Sequence, residues 1–80
     1  MKIDLVRREY RSRDLKWDVR QLRLRSGRLL ATIEPDGTWV GMFRVRLPND
    51  RITDMVNITR AKDAAICLAL ADLNRALRRL

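Results

Sequence analysis

Between Gln21 and Leu47 apolar and polar residues alternate around two turn signals, and this pattern constrains the fold more than any other feature of the chain. Ser26-Gly27 predicts a two-residue hairpin loop in which glycine supplies the positive φ. Pro35-Asp36-Gly37 predicts a second hairpin: proline presets the turn and glycine takes the left-handed position that closes it. Pro48-Asn49-Asp50 marks a third turn. The first loop pairs Leu24 with Leu29 and Leu22 with Ala31. The second pairs Ile33 with Trp39, Leu30 with Met42, Leu29 with Phe43 and Arg28 with Arg44. Side chains alternate between faces, so Leu22, Leu24, Leu29, Ala31, Ile33, Trp39, Phe43, Val45 and Leu47 fall on one face. Trp17 and Val19 join that face only through a bulge, expected near Arg20-Gln21.

Downstream, Arg51 to Val56 reads as a short fourth strand, and the segment from about Thr59 to Arg79 as a helix with Thr59 as N-cap. Ile66, Leu70, Leu73 and Leu77, flanked by Ala65 and Ala69, make a stripe at helical spacing that should cover the apolar sheet face. Arg75, Arg78 and Arg79 suit the negative end of the helix dipole. The expected fold is therefore α+β: an antiparallel sheet of three or four strands with one C-terminal helix across its apolar face, in the order ββββα. It forms one domain, with residues 1–14 a basic arm or short helix, 15–57 the sheet and 58–79 the helix.

Composition narrows the function. Eighty residues hold 18 Lys+Arg against 10 Asp+Glu, a net charge of +8, and 15 of the basic residues are arginine. Residues 1–30 carry ten basic and four acidic groups, so the excess is concentrated there. A bound anion would account for it, and so would a GC-rich coding sequence. With no histidine and one cysteine, zinc sites, Ser-His-Asp triads, Cys-His pairs and internal disulfides are excluded. The three scattered glycines make no phosphate-cradling loop. The carboxylates form no catalytic pair, so the chain is not expected to be an enzyme, to bind a metal or to need a cofactor. The longest apolar run, Ala64 to Ala71, is too short to span a bilayer. With no signal-peptide core at its start, the sequence is expected to be cytoplasmic, with Cys67 as a reduced, buried hydrophobe.

Five arginines carry the functional expectation. Arg23, Arg25, Arg28, Arg44 and Arg46 fall together at one end of the polar sheet face, with Arg28 opposite Arg44. Like charges directly opposite are destabilising, whereas planar guanidinium groups suit phosphate oxygens and base edges. The ligand would be nucleic acid, DNA or RNA. The alternative is an acidic protein surface, for a small inhibitor or adaptor module such as phages and mobile elements encode. On the same face Leu30, Val40 and Met42 form an apolar patch that residues 2–13 would cover through Ile3, Val6 and Tyr10. Trp17 and Trp39 are assigned to the core rather than to base stacking. Ala61, Ala64, Leu68 and Ala71 form a second apolar helix surface through which a homodimer could assemble.

Two resemblances accompany these residues. Ala61-Lys62-Asp63-Ala64-Ala65-Ile66-Cys67-Leu68-Ala69-Leu70 resembles the final helix of double-stranded-RNA-binding domains, and Phe43-Arg44-Val45 their middle strand. The likeness implies that fold and RNA binding. The family's paired lysines fall on Ile58 and Thr59, leaving Lys62 alone, and its Gly-Pro-His loop has no counterpart. The architecture also resembles the three-stranded-sheet-plus-helix DNA-binding domains of plant ethylene-response factors and recombinase arm-binding domains. Those insert the exposed sheet face into the major groove, which here would present the arginine-rich face.

Overall fold

The computed structural model describes residues 9–79. Five antiparallel strands lie in sequential order: β1 (Leu15–Asp18), β2 (Gln21–Leu24), β3 (Leu29–Pro35), β4 (Met42–Arg46) and β5 (Val56–Asn57). One helix, α1 (Ile58–Arg78), follows and covers one face, giving an α+β fold with one strand more than the upper expectation. The extra strand is β1. Asp18 pairs with Gln21 across a tight turn, which sets Trp17 opposite Leu22 and so on the inner face without the expected bulge. Val19 is left in that turn, 83% exposed, with φ +59. A β-branched side chain is strained in the left-handed region.

The bulge lies one strand further on. Leu24 N–H donates to the Arg28 carbonyl and Gly27 N–H to the Leu24 carbonyl, so the loop is Arg25-Ser26-Gly27 with Gly27 at φ +112. Arg23 then pairs with Leu29 while Leu22 pairs with Ala31, leaving Leu30 as the extra residue. Without it Gln21 would oppose Ala31, and Ala31 and Ile33 would turn out to water. The bulge restores both to the core. It also exchanges two expected positions: Leu30 is 6% exposed and Leu29 is 37% exposed.

The β3–β4 hairpin differs most from expectation. Ile33 pairs with Val45 and Glu34 with Arg44, a shift of six residues that leaves 36–41 as a long loop. Asp36 causes this. Its Oδ2 accepts N–H bonds from Thr38 at 2.9 Å and Trp39 at 2.8 Å, which occupies the donors that a tighter hairpin would pair across the strands. Met42 N–H then donates to the Trp39 carbonyl, and Gly41 at φ +82 returns the chain to β4. A shift of six is even, so Ile33, Val45 and Leu47 stay inside. Trp39 and Val40 do not; both stand in the loop, exposed.

Beyond β4, the expected strand at 51–56 shrinks to an isolated bridge between Arg46 and Ile52 and the two-residue β5. Asn57, not Thr59, caps α1: its Oδ1 accepts the Arg60 N–H at 2.9 Å. The buried stripe is Ala61, Ala65, Ala69 and Leu73, with Ile66 and Leu70 packing beside it. Small side chains let the helix backbone lie close to the sheet, and the larger residues wedge in along its flanks. Ala61 is thereby used in the chain's own core, Ala64 and Leu68 pack against it, and Cys67 is exposed rather than buried. Leu22, Ile33, Val45 and Leu47, each at 2% exposure or less, form the centre.

Residues 9–14 run along the helix, not across the outer sheet face. Tyr10 N–H donates to Asn74 Oδ1 at 2.7 Å, and Asn74 Nδ2 returns a bond to the Tyr10 carbonyl at 3.2 Å. A single 3-10 turn, Ser12–Asp14, leads into β1. Ile3 and Val6 lie outside the described residues.

Candidate nucleic-acid interface

The outer sheet face takes its side chains from alternate positions of four strands: Lys16 and Asp18, Gln21 and Arg23, Thr32 and Glu34, Arg44 and Arg46. Three of the five expected arginines stand here, and each has partners. Arg46 Nε lies 2.7 Å from Glu34 Oε2 and its Nη1 3.9 Å from Asp50. Arg44 Nε lies 3.3 Å from Asp36 Oδ1. Arg23 donates to the Gly27 carbonyl at 2.8 Å and to Gln21 Oε1 at 2.7 Å, with Asp18 at 3.9 Å. The register set by the Asp36 loop puts Arg44 opposite Glu34 instead of Arg28, so the face alternates in sign.

These pairs are of the surface kind. Arg44 and Arg46 keep 42% and 40% of their side chains in solvent, and an incoming phosphate can exchange for a carboxylate at little cost. Asp36 is the better-held partner: the Trp39 and Thr38 N–H groups keep its carboxyl below the ordinary value near 3.8, burial opposes them, and Arg44 adds a smaller lowering. The hydrogen bond and charge of Glu34 raise the already high pKa of Arg46, so this guanidinium is a permanent cation.

Arg25 and Arg28 stand elsewhere, at the end of the sheet where the β2–β3 loop turns. Arg25 Nε donates to the Arg13 carbonyl at 2.7 Å. A surface depression there is lined by Glu9, Tyr10, Arg13, Asp14, Leu24, Arg25, Ser26 and Leu77, and a second one joins Arg28 to Pro48, Asp72 and Ala76. The N-terminal segment, the β2–β3 loop and the helix C-terminus therefore meet at one end of the molecule. They bring together Arg11, Arg13, Arg25, Arg28, Arg75, Arg78 and Arg79. Two of these have carboxylate partners: Arg75 with Asp72 at 2.9 Å and Arg78 with Glu9 at 3.9 Å. Among the described residues, no carboxylate lies within ion-pair distance of the other five.

So the structure splits the expected cluster of five and builds a larger one around two of its members. Arg11, Arg13 and the three helix-terminal arginines are the additions. Helix length was the available signal: 21 residues at 1.5 Å each carry α1 back over the whole sheet, roughly 30 Å, to the β2–β3 end. Lys16, opposite Arg23 on β1, joins the outer face by the same hairpin that the sequence pattern did not resolve.

No helix among the described residues is long and apolar enough to cross a membrane, and no three of their Cys, Asp or Glu side chains gather as metal ligands. Comparison with protein families, with curated proteins and with solved structures finds no match to this chain.

Proposed function

We propose that this protein is a small, non-catalytic nucleic-acid-binding module that grips the phosphate backbone at its arginine end. The observation that carries the reading is the convergence of seven arginines from three separated segments, five of them without a carboxylate partner among the described residues. Glu9, Asp14 and Asp72 share this end with the seven arginines, which leaves it with an excess of positive charge. Arg23, Arg46 and Arg44 continue from this end along the outer face, where exchangeable ion pairs leave room for further phosphates.

The test is fluorescence anisotropy of labelled oligonucleotides at low salt, comparing the wild type with the Arg25→Glu/Arg28→Glu variant. Binding that weakens steeply with salt is expected, together with at least tenfold loss in the variant and a shallower log–log salt slope. Each phosphate contact removed should lower that slope by about 0.7 on single strands and about 0.9 on duplex. Unchanged affinity in the variant would reject the arginine end as the site. Tighter binding to polyglutamate than to any oligonucleotide would replace nucleic acid with an acidic protein surface.

A further inference from the structure

The end of the sheet opposite the arginines carries a different feature. Trp39 is 60% exposed and Val40 fully exposed, side by side in the loop at 36–41. An indole left in water forgoes the burial that large aromatic side chains usually obtain, and the core is complete without it. The loop is nevertheless fixed. Asp36 Oδ2 holds the Thr38 and Trp39 N–H groups, the Trp39 carbonyl accepts from Met42, and Asp36 itself is only 11% exposed and tied to Arg44. A hydrogen-bonded loop that carries an exposed aromatic suits a contact residue, because little loop entropy is then lost on binding.

The side of the loop is also defined. Asp36 continues the outward positions Thr32 and Glu34, pairs by backbone with Met42, and reaches Arg44 on the outer face. The Trp39 backbone, bonded to the same carboxylate, is thus one side chain away from the Arg44 guanidinium. The outer face consequently runs from the arginine end, through Arg23, Arg46 and Arg44, to the loop that carries Trp39. Three guanidinium groups, each in an exchangeable surface ion pair, thus lead toward a loop with an exposed indole.

From this arrangement we infer that Trp39 stacks on an unpaired base, so that the ligand is single-stranded nucleic acid or an unpaired end or loop. The inference rests on the nucleic-acid reading above. A duplex hides its base faces and offers the indole a partner only at its termini, whereas every unpaired base has a free π face beside a phosphate that Arg44 can hold. Trp17 cannot serve in this way: it faces the core side of β1, half-buried, with Lys62 Nζ 5.6 Å from its ring centroid.

Two readouts test this together: anisotropy of a labelled oligothymidine of roughly twelve nucleotides, within the span of known single-strand sites, and the tryptophan emission of the same samples. The wild type should show emission quenched on saturation. Trp39→Ala should bind the single strand about five- to a hundred-fold more weakly, with duplex binding unchanged. Trp39→Phe should recover part of the loss, which separates ring stacking from loop damage. Binding seen by anisotropy with no quenching, or with Trp39→Ala indistinguishable from wild type, overturns the stacking role and leaves the arginine end standing. No anisotropy change with any oligonucleotide overturns both readings. A blue shift of emission that grows with protein concentration, before any oligonucleotide is added, would show a second copy covering Trp39 and would likewise overturn the inference.

Discussion

The two ends of this molecule handle charge and apolar surface in opposite ways. At the loop of residues 36–41, acids and bases close in sequence are paired across the β3–β4 hairpin, Asp36 with Arg44 and Glu34 with Arg46, and what remains exposed is a tryptophan and a valine. At the other end, charges from residues 11–13, 25–28 and 75–79 converge with few acids among them, and the apolar residues are folded away beneath Tyr10 and the helix. Local pairs are settled by strand register and are explained by folding. The helix dipole accounts for the arginines at the end of α1, but not for Arg11, Arg13, Arg25 and Arg28 beside them, and the core does not account for an indole left in water on a hydrogen-bonded loop. Both features underlie the proposed binding of a strand from outside the chain.

The largest effect expected from substitution lies in the core that joins the ends. Ile33 sits on the central strand at 1% exposure, and Ile33→Ala should cost about 2–5 kcal/mol in chemical denaturation. Both ends should fail together, since β3 connects them. A loss below about 1 kcal/mol would mean that the ends are held independently.

How much of this was legible in the sequence follows from parity. The inner face of β3 and β4 depends on alternation alone, so Ile33, Val45 and Leu47 were assigned correctly although the hairpin register was off by six. Trp39 was misplaced by the same error, because a short Pro-Asp-Gly turn and a long Asp-capped loop begin with the same residues. Only the hydrogen bonds from Thr38 and Trp39 to Asp36 distinguish them. Leu29 and Leu30 were exchanged for a related reason. A bulge changes parity, and nothing local in Arg28-Leu29-Leu30-Ala31 says which leucine is the extra residue. The extent of the helix is legible in the sequence, yet its buried line runs through the alanines, because close approach to a sheet rewards small residues and the spacing of the large ones does not reveal this. The arginine end required three-dimensional closure. Residues 11 and 79 are as far apart in sequence as the described chain nearly allows.

A smaller effect separates the ends. Asp36→Ala should release the loop and lower stability by much less than Ile33→Ala, while leaving phosphate binding at the arginine end intact. Its pH dependence has a defined sign. The folded-state pKa of Asp36 is depressed, so its stabilisation is present above the ordinary carboxylate value near 3.8 and is lost as the pH falls through the folded value. Melting midpoints of wild type and variant should therefore differ at neutral pH and converge below pH 3.8. A gap that persists unchanged in acid would mean that the ionised carboxylate does not hold the loop.

In the proposed complex one nucleic-acid strand lies along the outer face, from the arginines to the Trp39 loop. Amide and indole chemical shifts, followed by NMR while a short oligothymidine is added at low salt, test it most directly. Perturbations are expected at Arg25, Arg28, Arg23, Thr32, Arg44 and the Trp39 indole, with Asp63, Cys67 and Ala71 on the helix unmoved. Shifts confined to the helix, or none at saturating oligonucleotide, would contradict it.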